Sequence, residues 1–162
     1  LIERIEKVLL KVITFILVVQ GIGLVTLIGL EVFFRYIIGN ALSWPEELAG
    51  ITFVWFTLFG IALVMREDEH IAFDSLMRNS SPRVVKAVMI FSQLIISGYA
   101  LLMVYYGYTY ASMFTFEKTP AARINLLWLN LAVPLSGILL FFYSLLKMAE
   151  ISKSSAKARS GP

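Results

Sequence analysis

Four stretches without a single charged side chain, residues 12–30, 48–65, 87–116 and 124–146, take up 90 of the chain's 162 positions. Each is about as long as, or longer than, the roughly 20 residues that a helix needs to cross a hydrocarbon core of about 30 Å at 1.5 Å per residue. A helix on a soluble protein interrupts its apolar stripe with polar residues every three or four positions, and these runs do not. The expected fold is all-α and integral to the membrane, with four transmembrane helices. Composition agrees, with 59% of residues hydrophobic and 15% charged, against about 25% charged in soluble domains. The connections are too short to fold alone, so residues 1–162 read as one four-helix membrane domain, with a polar, disordered tail expected from about 152 to 162.

The charges orient the spans. Of 14 Lys and Arg residues, 11 lie in the two tails and in the segment 66–86, and the other three are Arg35, Lys118 and Arg123. The positive-inside rule then places both termini and residues 66–86 in the cytoplasm, which requires an even number of spans. Tyr36, Trp44, Tyr108, Tyr110 and Trp128 fall near the opposite surface, where amphipathic rings anchor at headgroup depth. The net charge of +3 is spread over the ends of apolar runs, which argues against nucleic acid as a partner. Cysteine is absent, which excludes disulfides and thiolate metal sites. The first run is too long for a cleaved signal peptide and leads directly into Glu31 and Arg35.

Punctuation places the helix ends. Ser43-Trp44-Pro45-Glu46 has the form of a capping box, so the second helix is expected to begin near Ser43. Ser81-Pro82 and Thr119-Pro120 carry a cap-then-proline signal before the third and fourth spans. Gly39-Asn40 stops whatever follows the first span, leaving room for an interfacial helix in the first connection. Pro134 is expected to kink the fourth span around Asn130, with Ser136 placed to satisfy freed backbone groups. The third run, about 45 Å if wholly helical, must tilt or project beyond the bilayer.

Few residues could carry chemistry. Glu31 and Arg35 are four apart and read as an ion pair on one helical face. An unpaired Glu31 would instead suggest a small proton-coupled exporter. Glu46 and Glu47 suit a helix N-terminus by charge, Glu46 as a cap and Glu47 as a partner contact, better than they suit paired acid–base work. Arg66, His70 and Asp74 recur every four residues and would share one stripe at the membrane surface. His70 is the only histidine, so a haem held by two histidines is excluded within one copy, which weakens a reading as the membrane anchor of a respiratory enzyme. No cofactor and no metal is expected. Inside the spans only Gln20, Gln93 and Asn130 demand hydrogen-bond partners. That is too sparse to line a path for a polar solute. Gly21, Gly23, Gly29 and Gly98 offer small faces for close packing.

The stretch from Ser43 to Asp74 carries a resemblance. Ser43-Trp44-Pro45-Glu46-Glu47-Leu48, then Trp55, Gly60, Arg66 and His70-Ile71-Ala72-Phe73-Asp74, resembles the small permease subunit of tripartite ATP-independent periplasmic (TRAP) transporters, as does Pro134-Leu135 with Gly137 in the last span. The four-span plan matches too, so the resemblance covers essentially the whole chain. It implies a protein of the bacterial or archaeal cytoplasmic membrane, part of a sodium-coupled secondary transporter for the uptake of organic acids such as four-carbon dicarboxylates or sialic acids. It also implies two protein partners: a large membrane subunit that moves substrate and sodium, and a soluble periplasmic substrate-binding protein. The small subunit would scaffold the large one without binding substrate. On that reading Glu31, Arg35, Trp44, Glu46, Glu47, Trp55, Arg66, His70 and Asp74 organise a partner interface or the membrane surface.

Overall fold

In a computed structural model, which describes residues 2–67 and 81–159, the chain forms α1 (Ile2–Phe33), α2 (Trp44–Glu67), α3 (Pro82–Met113), a short α4 (Leu126–Asn130) and α5 (Ala132–Arg159). Four segments are long and apolar enough to cross a membrane: Glu6–Ile38, Trp44–Met65, Arg83–Met113 and Leu126–Ser152. They correspond one to one with the four uncharged runs.

The ends are set by local chemistry. The helical segment of the first connection is a π-helical turn, Phe34–Ile38, run on directly from α1. Gly39 ends it in the left-handed conformation (φ +74°), which costs glycine little. The N–H groups of Gly39 and Asn40 both close on the Phe34 carbonyl. α2 begins directly after Ser43, and the Ser43 carbonyl accepts from Glu47 N–H. Ser81 is the N-cap of α3, with Pro82 in its first turn. α3 then runs unbroken for 32 residues, about 48 Å at 1.5 Å per residue.

The fourth span departs from the expected plan at its start. Thr119-Pro120 opens no helix; it lies in a hairpin, and the helix begins six residues later with Asn125 as its N-cap, the side chain accepting from Leu127 N–H at 2.8 Å. The expected interruption near Asn130 is present. The helix breaks at Leu131, three residues before Pro134, because proline has no N–H to return to the carbonyl of Asn130. Ser136 Oγ bonds the carbonyl of Val133 at 2.9 Å instead of that of Asn130.

The four long helices stand as an open row, in the order α1, α2, α5, α3. Among the described residues no Cα of α1 comes within 8 Å of α3 or α5. The core runs from Ile13 and Leu17 through Ala62 and Ala100 to Leu140 and Tyr143. Lipid tails are as apolar as these side chains, so close packing and hydrogen bonds must hold the helices together. The tightest seam is α3 against α5. A Cβ on Gly107 would sit 2.9 Å from Val133 Cγ1 and Pro134 Cδ, and one on Gly137 would sit 3.0 Å from the Ala100 carbonyl oxygen. Ala100, Ala111 and Ala132 are buried along the same seam. Within the chain the packing glycines are therefore Gly107 and Gly137. Gly23, Gly29 and Gly98 have no atom within 4 Å of a Cβ position, and Gly21 makes ordinary contact with Phe56.

Candidate functional site

Glu47, in the first turn of α2, faces the hairpin that joins α3 to α4. Its Oε1 accepts from Ala121 N–H at 2.9 Å and its Oε2 from Ala122 N–H at 2.7 Å. The hairpin is itself well defined. Thr119 N–H donates to the Ile124 carbonyl at 2.8 Å, Ile124 N–H donates to Thr119 Oγ1 at 3.1 Å, and Leu126 N–H donates to the Glu117 carbonyl at 2.9 Å. Arg123 adopts a positive φ of 55°, a conformation non-glycine residues avoid and keep only where their surroundings enforce it. Here the flanking Thr119–Ile124 bonds and the Glu47 carboxylate enforce it. Asn125 adds a further tie through its side-chain amide, which donates to the Thr115 carbonyl.

A second clasp lies eight residues along α2. Trp55 Nε1–H donates to the Trp128 carbonyl at 2.9 Å, and its ring meets Phe59 edge-on at 5.2 Å. A helix as short as α4 has carbonyls without intrahelical partners, and the indole supplies one. Glu47 and Trp55 thus hold the hairpin and α4 against α2 at two points. Both Glu47 oxygens are committed to backbone donors, which suits a clamp better than a proton carrier.

The other expected site residues scatter. Glu31 and Arg35 form the anticipated i,i+4 ion pair. Trp44 and Glu46 are exposed in the first turn of α2. His70, Asp74 and the side chain of Arg66 lie outside the described residues.

A second polar cluster lies between α3 and α5. Gln93 is 2% exposed, and Ser97 and Ser144 are buried with it. The two serine hydroxyls are 2.8 Å apart, and Ser144 Oγ reaches both the Gln93 carbonyl and its Oε1 at 2.9 Å. The amide of Gln93 is legible in the sequence as needing a partner; Ser144 is not, its one signal being a hydroxyl on the face that also carries Gly137 and Leu140. Gln20 Oε1 is buried on α1 with no hydrogen-bond partner among the described residues.

The model of the DctQ component of tripartite ATP-independent periplasmic transporters matches residues 24–154. The chain belongs to that family. It is similar to the putative TRAP transporter small permease protein of Haemophilus influenzae, 25% identical over 154 residues that cover 94% of this chain and 93% of that one. It is also similar to the sialic acid TRAP transporter small permease protein SiaQ of Vibrio cholerae, 23% identical over 122 residues, 74% and 69% of the two chains. A third relative is the sialic acid TRAP transporter permease protein SiaT of Haemophilus influenzae, 27% identical over 112 residues, which are 69% of this chain and 18% of that longer protein. As a DctQ-family small permease with four apolar helices, the chain is a multi-pass protein of the bacterial inner membrane. The family match spans the whole α2–hairpin seam, with Glu47, Trp55 and the 119–128 segment.

Proposed function

We propose that this small permease braces the large membrane subunit of a sodium-coupled TRAP importer of organic acids and takes no part in binding the solute. The observation that carries this reading is how the interior polar groups are spent. Ser144 bonds both Ser97 and Gln93, and Ser136 and Thr26 bond their own helices. An anion crossing the bilayer needs several convergent donors free to replace its water, and among the described residues no such set lines the bundle interior. The exception, Gln20 with its buried Oε1, is a single side chain on α1. The likeness to 18% of SiaT supports a large membrane subunit as the partner, since that permease carries a segment of this kind within one longer chain. Sialic acid appears in the names of two of the relatives, which favours a sugar acid as cargo, handed over by a periplasmic binding protein.

The face of α3 that points away from α5 is suited to the large subunit. Tyr99 lies at the middle of this helix and is 60% exposed. Against lipid its hydroxyl would have no hydrogen-bond partner, a state the hydrocarbon core penalises. Beside it Gly98 leaves an open notch for an approaching helix.

Reconstitution into liposomes tests the function. Labelled sialic acid or dicarboxylate should enter along a sodium gradient only when this chain, the large subunit and the binding protein are all present. Uptake by this chain alone would refute the bracing role.

A further inference from the structure

The first three turns of α1 carry Arg4, Lys7 and Lys11, all exposed, at an i, i+3, i+7 spacing that puts them on one face. The same face continues into the membrane as Phe15, Val18, Ile22 and Val25, between 55% and 74% exposed. Thr26, farther along, bonds its own helix through the Ile22 carbonyl, so nothing in this part of the face requires a protein neighbour. The uncharged run begins at residue 12, which sets Lys11 at the hydrocarbon boundary and spreads the three cations over about 10 Å of helix. That is more than the roughly 5–7 Å headgroup layer of one side, a difference their flexible stems can close.

Helix direction decides where these cations point. Side chains lean toward a helix's N-terminus, and the N-terminus of α1 is at the surface. Lys7 and Lys11 therefore lean out toward the headgroups, with their carbon stems along the apolar face. Lys147 is the contrast: it lies on α5, whose C-terminus reaches the same surface, so it leans inward, and it is 8% exposed. Glu6 is buried, on a different side of α1 from the stripe.

We propose that Arg4, Lys7 and Lys11 form a binding site for an anionic phospholipid, its phosphate held by the three cations and its acyl chains lying along Phe15, Val18 and Ile22. Three exposed positive charges at the membrane surface, long enough in the side chain to converge on a phosphate and continuous with a lipid-compatible face, complement a negatively charged lipid. A zwitterionic one offers no net charge to hold. The site does not depend on the bracing role, and the test uses this chain alone.

The full chain would be purified in a mixture of phosphatidylglycerol and phosphatidylcholine, and the lipid it retains counted by native mass spectrometry. Wild type should keep phosphatidylglycerol selectively. Removing the charges in Arg4→Gln/Lys7→Gln/Lys11→Gln should abolish that selectivity, each single change weakening binding roughly fivefold, equivalent to about 1 kcal/mol per cation near the surface. Arg4→Lys/Lys7→Arg/Lys11→Arg should retain the lipid. Arg83→Gln/Lys118→Gln/Arg123→Gln, which removes the same charge elsewhere, should also retain it. Equal retention by wild type and the first triple variant overturns the site, and so does equal loss in the distant triple variant. Should the first triple variant fail to fold, the single variants Lys7→Gln and Lys11→Gln decide, and unchanged retention in both overturns the proposal.

Discussion

Glu47 offers one oxygen to each of two successive N–H groups, a pairing an amide cannot reproduce because one of its two ends is a donor. In Glu47→Gln the Ala121 and Ala122 amides should exchange with solvent markedly faster while the helix cores stay protected, as read by hydrogen–deuterium exchange in detergent. Unchanged exchange would mean the hairpin holds its own shape through Thr119 and Ile124. Trp55→Phe keeps the ring's edge-on contact with Phe59 and deletes only the donor to Trp128, so it isolates the second clasp. Ser144 stands differently. Its single hydroxyl hydrogen serves two buried Gln93 acceptors, the carbonyl and Oε1, and Ser144→Ala leaves both short of that donor. Its cost should be about 1 kcal/mol, toward the upper part of what hydrogen bonds contribute between membrane helices, and thermal unfolding in detergent would measure it.

At the scale of the helices, two glycines on α3 separate internal packing from external docking. Gly107 meets Val133 and Pro134 so closely that Gly107→Leu must push α5 away, and the chain's own melting temperature should drop, by about 1–3 kcal/mol in stability. Gly98 has open space, so Gly98→Leu should leave the isolated chain as stable as wild type or more so, yet lower recovery of the large subunit on co-purification. Normal recovery would place the docking face elsewhere. The two glycines look alike in sequence, one apolar neighbourhood resembling the other, and only the path of α5 tells them apart. The same limit governs the fourth span. Its length and its break were legible, because the absence of charge and the missing proline N–H act locally. Its start was not, because Thr119-Pro120 reads as a helix cap until Glu47, 74 residues before Ala121 in the chain, holds the following N–H groups in a turn. Glu47 itself was legible as a contact residue but not as an intramolecular one, and Trp55 was read from a motif whose bond to Trp128 only the fold supplies.

The described helices form an open row with two free edges, α1 and α3, and this shape bears on the proposed role. A closed bundle would hide its packing faces and need no neighbour. A row leaves two edges uncovered among the described residues, as the proposed bracing role requires, one for lipid and one for the large subunit. Which side of the membrane the hairpin occupies then matters, and the absence of cysteine makes it directly measurable. Ser43 precedes α2 at the hairpin end and Ser81 precedes α3 at the other, and both are exposed. With the termini in the cytoplasm, as the distribution of Lys and Arg predicts, Ser43→Cys should react with a membrane-impermeant maleimide in intact spheroplasts. Ser81→Cys should react only after the membrane is opened. The reverse pattern would put the hairpin held by Glu47 in the cytoplasm, out of reach of any periplasmic capture protein, and the proposed division of labour would fall with it.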